Sequence, residues 1–133
     1  MTAYMLNTNI CIAVMKGRPT IQSKISSIDP AKIGISSIVL AEHSYGVWKS
    51  IQKERNKQAL ADFCSMCSVW DWPAAAADTY VEIRAFLEQQ GRIIGANDLL
   101  IAAHAKYLNT VLITNNTREF KRIPGLTIED WTL

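Results

Sequence analysis

Five side chains carry chemistry that their neighbours do not: Asn7, Glu42, Asp98, Asn116 and Glu119. Asn7 and Asn116 follow short apolar runs that read as strands, and Glu42 and Asp98 sit near the starts of apolar helices. Three carboxylates and two amides gathered at one end of a sheet offer hard oxygen ligands. Such ligands suit Mg²⁺ or Mn²⁺. A cation held there activates water and stabilises charge on a phosphate, as one ion or as two roughly 4 Å apart. Whether positions so far apart in sequence meet depends on the elements that carry them.

The stretch from Ile94 to Ala105 reads as a turn opening a buried helix. Gly95 loosens the backbone, Asn97 is a good N-cap, and Asp98 lies in the first turn. Leu99, Leu100, Ile101, Ala102 and Ala103 make the helix apolar on every side, which marks it as buried. Asp98 is then either a capping acid favoured by the helix dipole or one member of a site. Glu42 is the only acid between Asp29 and Glu54 and stands among Ile38, Val39, Leu40, Ala41, Tyr45 and Val47. An acid in such company is either exposed or held for chemistry.

The positioning elements follow in order. Ala3–Leu6 is a strand, Ile10–Lys16 a helix stopped by Gly17, and Pro19 opens a helix that Asp29-Pro30 ends. Ile33–Ser36 is a second strand, and Ser36 or Ser37 caps a helix running to about Ser50. A helix from about Asn56 to Met66 precedes a third strand, Val69–Trp72, ended by Pro73. Ala74–Gln90 is a long helix with Tyr80, Ile83 and Leu87 at core spacing. Val111–Thr114 is a β-branched strand, and Leu126–Ile128 a last edge strand. Strands alternating with helices predict a parallel sheet wrapped by helices, with sites beyond the carboxyl ends of its strands.

The 133 residues fit one domain, and a composition 49% hydrophobic and 20% charged supports a real core. Net charge is +2, unevenly spread: residues 1–60 hold eight Lys/Arg against three Asp/Glu, and residues 61–133 six against nine. That asymmetry is compatible with an anionic partner. No apolar run reaches transmembrane length, and no secretory leader is expected. Three cysteines fit a reducing cytoplasm. Cys64 and Cys67 form a C-x-x-C, but no second pair completes a zinc site, so Cys11, Cys64 and Cys67 read as buried thiols.

Four stretches resemble the motifs of PIN-domain ribonucleases: Met5-Leu6-Asn7-Thr8-Asn9; Ile35-Ser36-Ser37-Ile38-Val39-Leu40-Ala41-Glu42; Gly95 to Ala105 around Asp98; and Leu112-Ile113-Thr114-Asn115-Asn116-Thr117-Arg118-Glu119-Phe120. Each alone is weak, but the four in order, across nearly the whole chain, are specific. Size and wording are most similar to VapC toxins of VapBC toxin–antitoxin pairs. The resemblance implies a three-layer α/β/α sandwich with a mainly parallel sheet, in one domain spanning residues 1–133. It implies a Mg²⁺- or Mn²⁺-dependent cytoplasmic endoribonuclease acting on RNA (tRNA among the candidates), a VapB-type antitoxin as inhibitor, and homodimers. Carried over residue by residue, position 7, Glu42 and Asp98 would hold the metal, with Asn116 as fourth member and Glu119 as a nearby acid.

One departure concerns Asn7, where the family carries aspartate. The amide keeps an oxygen ligand but loses the charge that holds a cation tightly, so the chain as written is expected to cleave weakly or not at all. A non-cleaving module that binds RNA or antitoxin is the alternative. A nucleotide-binding Rossmann unit is disfavoured, since no Gly-x-Gly-x-x-Gly follows the first strand.

The remaining features have two readings each. Trp48, Trp70, Trp72 and Trp131 read as packing residues first and RNA-stacking residues second. Lys16, Arg18, Lys49, Lys53, Arg55 and Lys57 are candidates for phosphate contacts, with a solvated charged face as the plain reading. Arg84 has the same two readings. The apolar surfaces around Cys11, Val14 and Met15, and around Val47, Trp48 and Ile51, are the expected seat of an antitoxin tail.

Overall fold

The computed structural model describes residues 2–133. Its central strand is β1 (Tyr4–Leu6), with Met5 and Leu6 buried, followed by α1 (Thr8–Met15) and α2 (Pro19–Ser26). Next come β2 (Ile33–Ser36), α3 (Ser37–Trp48), α4 (Lys53–Ser65) and β3 (Ser68–Trp70). The chain continues through α5 (Ala77–Gln89), α6 (Ala96–Leu108), β4 (Val111–Ile113), α7 (Thr117–Phe120) and β5 (Ile128–Glu129). The sheet order is β3-β2-β1-β4-β5, and every pairing is parallel. Helices cover it on both sides as a three-layer α/β/α sandwich. Because β2 lies on one side of β1 and β4 on the other, the order in which strands are added switches sides at β1. A crevice opens there beyond the strand ends.

Several expected bounds shift for local reasons. The helix expected over Ala74–Gln90 begins as a 3₁₀ turn, Ala74–Ala76, before α5. α4 starts at Lys53 rather than Asn56, so its first turn carries Glu54, which favours the positive end of the helix. The N-cap of α6 is Gly95, not Asn97; Asn97 lies inside the helix and uses its amide elsewhere. The short helix α7 lies just past β4 in a stretch too brief for periodicity to reveal.

Two close contacts lock the frame. Gly34 in β2 lies under the Trp70 ring: an added Cβ would stand 2.7 Å from ring carbons and 2.9 Å from the Ser68 carbonyl oxygen. Ser36, at the end of β2, accepts the Ile38 N–H at 3.1 Å and meets His104 Nδ1 of α6 at 2.8 Å. The tautomer of the neutral imidazole decides which of the two groups donates. Burial pushes the His104 pKa below the usual histidine value, which keeps that form at neutral pH. The contact therefore pins the start of α3, which carries Glu42, to α6, which carries Asp98.

Gly34→Ala must displace the Trp70 ring or the backbone of β3. Overpacking of this kind costs roughly 1–3 kcal/mol. Urea unfolding should show that loss with an unchanged slope.

Candidate functional site

Asn7 leaves β1 with its backbone N–H donating to the Ile113 carbonyl of β4 at 2.9 Å. It N-caps α1 through its backbone only, and its own carbonyl accepts from Ile10 and Cys11. The side chain is buried. Its Nδ2 donates to Thr114 Oγ1 at 3.2 Å, and Asn116 donates its backbone N–H to the same hydroxyl at 3.0 Å. Asn7 Oδ1 has no hydrogen-bond partner although it is buried. An orphaned buried oxygen is costly unless something electropositive faces it.

Glu42 rises from the second turn of α3 and is held from two sides. Thr8, at the start of α1, donates its hydroxyl to Oε1 at 2.7 Å, and Asn97 in α6 donates its amide to Oε2 at 3.3 Å. Both tethers are neutral donors. Asp98 follows Asn97 in the first turn of α6 and is half-buried. Its pKa is raised by burial first, then by the negative charges of Glu119 and Glu42. The three acids thus share one electrostatic field, although they come from three helices.

Asn116 sits at the N-terminal boundary of α7 with no side-chain capping bond, which leaves its amide free. Glu119 lies in the first turn of α7. A second amide pair closes the rim, where Asn9 Nδ2 donates to Asn115 Oδ1. All five predicted positions are therefore carried to the carboxyl end of the sheet. Among the described residues, no three His, Cys, Asp or Glu side chains form a finished metal cage. The donor set still fits a hard cation, because the orphaned Asn7 oxygen and the mutually repelling acids lack a positive charge. Thr8, Asn97 and Thr114 escaped sequence reasoning as tethers. Only Thr8, beside Asn7, carried a local hint.

The other expectations sort cleanly. Cys11 lies fully in the core, whereas Cys64 and Cys67, expected as buried thiols, are only half-buried near the end of α4; the apolar surface of α1 is offered by Ile12 and Met15 instead. Burial pushes the Cys11 thiol well up and the Cys67 thiol to about 11, which keeps both protonated at neutral pH. Arg84 faces water, bonded to the Tyr80 hydroxyl and paired with Glu88 at 3.8 Å on its own helix. Trp70 packs against the core, Trp72 donates to the Leu100 carbonyl, and Trp131 is buried beside Tyr4. Trp48 alone of the four stands out in solvent. Between α1, α3 and α4 runs a groove of about 570 Å³ lined by Ile12, Met15, Lys16, His43, Val47 and Arg55, among others.

A family model described as the PIN domain matches residues 4–126. The ribonuclease VapC2 of Rickettsia felis is 49% identical over 132 residues, covering 96% of this chain and 97% of that protein. The tRNA(fMet)-specific endonuclease VapC of Shigella flexneri is 43% identical over 132 residues, covering 99% and 100%. The crystal structure of VapBC2 from Rickettsia felis, bound to a DNA fragment from its promoter, superposes with a TM-score of 0.93 at 47% identity. It covers 98% of this chain and 99% of that one. DNA-bound VapBC from Salmonella typhimurium also gives a TM-score of 0.93, at 42% identity with 98% and 99% covered.

The raised Asp98 pKa makes a stability prediction. A carboxyl whose folded pKa exceeds its unfolded value supplies stability below the unfolded pKa and loses it as pH rises through the folded one. Ionised Asp98 therefore costs the metal-free protein stability at neutral pH. Asp98→Asn should raise the thermal midpoint at pH 7 in chelator, with the gain shrinking as pH falls toward 4. A lowered midpoint would assign Asp98 to capping instead.

Proposed function

The chain belongs to the PIN-domain family, and from that premise we propose that it is a VapC-type toxin of a type II toxin–antitoxin pair, an endoribonuclease that depends on a divalent cation. The observation that carries this reading is the mutual repulsion of three acids, Glu42, Asp98 and Glu119, at the sheet end where Asn7 also keeps a buried, unpartnered oxygen. We infer Mg²⁺ or Mn²⁺ as the cation, since the donors are all oxygen. Position 7, Glu42 and Asp98 would hold it, with Asn116 or Glu119 completing the set. When bound, it supplies positive charge to the phosphate and a lowered pKa for water.

The protein's own groups do the rest. Water attacks phosphorus and gives up a proton, the P–O bond to the leaving nucleotide breaks, and the leaving oxygen takes up a proton from solvent. The free Asn116 amide orients the water. Thr8 and Asn97 fix the orientation of the Glu42 carboxylate through two neutral donors. The acids would repel a bare phosphate, so the phosphodiester enters only once positive charge is in place. RNA is the substrate class. The tRNA(fMet)-specific name of the Shigella relative makes tRNA the first candidate. The groove between α1, α3 and α4 suits an antitoxin tail, because Ile12, Met15 and Val47 supply apolar contact beside Lys16 and Arg55. The relatives of known structure are toxin–antitoxin complexes, which supports such a partner. Residues 1–133 would act as one domain, in the cytoplasm, as homodimers joined to antitoxin.

Asn7 favours a second reading for the chain as written: a PIN domain that binds RNA or antitoxin without cutting. An amide at position 7 contributes no charge. A carboxylate there would still be supported, because the Thr114 hydroxyl can turn to donate.

The decisive experiment compares this chain with Asn7→Asp. Mn²⁺ titrated by calorimetry should bind the carboxylate form more tightly, by about tenfold or more if the added charge contributes 1.4 kcal/mol. That form should cleave RNA only with Mg²⁺ or Mn²⁺. Asp98→Ala in the same background should abolish cleavage while circular dichroism stays native. Equal Mn²⁺ affinities would remove position 7 from the site, and cleavage by the Asp98→Ala form would remove Asp98.

A further inference from the structure

Beyond Glu42, α3 presents a stripe of side chains that leads away from the acids. Tyr45 and Lys49 follow Glu42 three and seven residues on, on one helical face. With Thr8, Glu42 and Asn97 they line a continuous groove of about 570 Å³. Tyr45 is 60% exposed and Trp48 66% exposed. Their rings lie nearly parallel, 16° apart, with centroids 6.1 Å from each other. Lys49 Nζ stands 5.2 Å from the Tyr45 ring centre, and Lys53 Nζ 5.4 Å from that of Trp48. Neither ring serves the core. Two large apolar rings kept in water, each with a cation at its face, are an ordered surface without an internal use.

We propose that Tyr45 and Trp48, with Lys49 and Lys53, form a stacking platform for unpaired nucleotides of the RNA and feed the strand toward Glu42. This rests on the endoribonuclease reading above. Bases stack on aromatic faces whatever their identity, and positive groups along the track hold the backbone. The cation–ring contacts are weak at an exposed site. A phosphate therefore draws each ammonium off its ring on a flexible stem, and the freed face receives a base. Duplex RNA cannot use such a platform, since its bases already stack on one another. The platform would thus select single-stranded or looped segments. A second copy of this chain is the rival occupant. Lysine is depleted from protein–protein interface cores, and here two lysines crown the patch.

The test uses the chain with Asn7, in chelator, so that binding is read without cutting. The probe is a short fluorescein-labelled single-stranded RNA of mixed sequence, alongside the same sequence as a duplex. Tyr45→Ala should weaken single-strand binding roughly 5- to 100-fold, the range for loss of one base–aromatic stack, and leave duplex binding unchanged. Tyr45→Phe should restore it. Lys49→Ala should flatten the slope of log affinity against log salt by about 0.7, the share of one phosphate contact on a single strand. In the Asn7→Asp background, Tyr45→Ala should raise KM and leave kcat nearly intact. If Tyr45→Ala and Trp48→Ala both cleave with unchanged KM, the platform is wrong and the nuclease reading stands. If the Asn7→Asp parent neither cuts nor binds RNA, both fall. Loss of dimers with undiminished RNA affinity would also overturn the platform and give the patch to a second copy.

Discussion

Parallel pairing is the constraint on which everything here depends. Each strand must return to the same side of the sheet before the next begins, so every carboxyl end points one way. β1 pairs with both β2 and β4, and the Asn7 N–H extends the ladder to Ile113 one residue past the strand. Asn7, the start of α3 and the Thr114–Asn116 turn are thereby brought to one edge. Helices that leave this edge point their N-termini at it, and those positive ends tolerate acids. The sheet thus gathers Glu42, Asp98 and Glu119 from three separate helices.

Gathered acids repel, and the fold tolerates them by means that do not neutralise them. Glu42 is tethered by a hydroxyl and an amide, with no cation in contact. The one ion pair among the described residues is Arg84–Glu88, on the surface of α5. The repulsion shows at Asp98, whose pKa is raised by burial and then by the charges of Glu119 and Glu42. On the reading proposed above, a cation would relieve that repulsion. Asn7 adds no charge to it, and its amide nitrogen bonds the Thr114 hydroxyl where a carboxylate would accept from it.

The Ser36–His104 contact links the halves of the site through the interior. The N-cap of α3 meets α6 at Ser36 and His104, while Glu42 lies in the second turn of α3 and Asp98 in the first turn of α6. A shift of either helix would move one acid against the other. α3 also divides the surface functionally. Val47 turns toward the apolar groove with α1 and α4, while Tyr45 and Trp48 turn to water, Tyr45 in the groove that also holds Glu42. One helix therefore serves both the site and the surfaces through which partners reach it.

Much of this was legible in the amino-acid order. Short apolar runs between helical periods implied a parallel α/β sheet, because only buried strands read that way. The apolar completeness of α6 implied burial, and four local motifs implied a PIN domain; that Asn7, Glu42, Asp98, Asn116 and Glu119 form its site is the reading proposed above. Local order was silent wherever partners are distant in sequence. Asn97 reads as an N-cap from its neighbours, but Gly95 takes that place and Asn97 reaches Glu42, fifty-five positions away. Thr114 is an ordinary strand-end residue until folding sets its hydroxyl beside Asn7. Cys11 and Ile12 are adjacent, and only the packing of α1 turns the thiol inward and the isoleucine outward. Trp48 is one tryptophan among four in sequence, and only the tertiary structure leaves it in water, stacked on Tyr45. Periodicity and propensity are local and survive in the sequence. Contact, burial and shared charge belong to the folded chain, because they depend on which distant segments the sheet brings side by side.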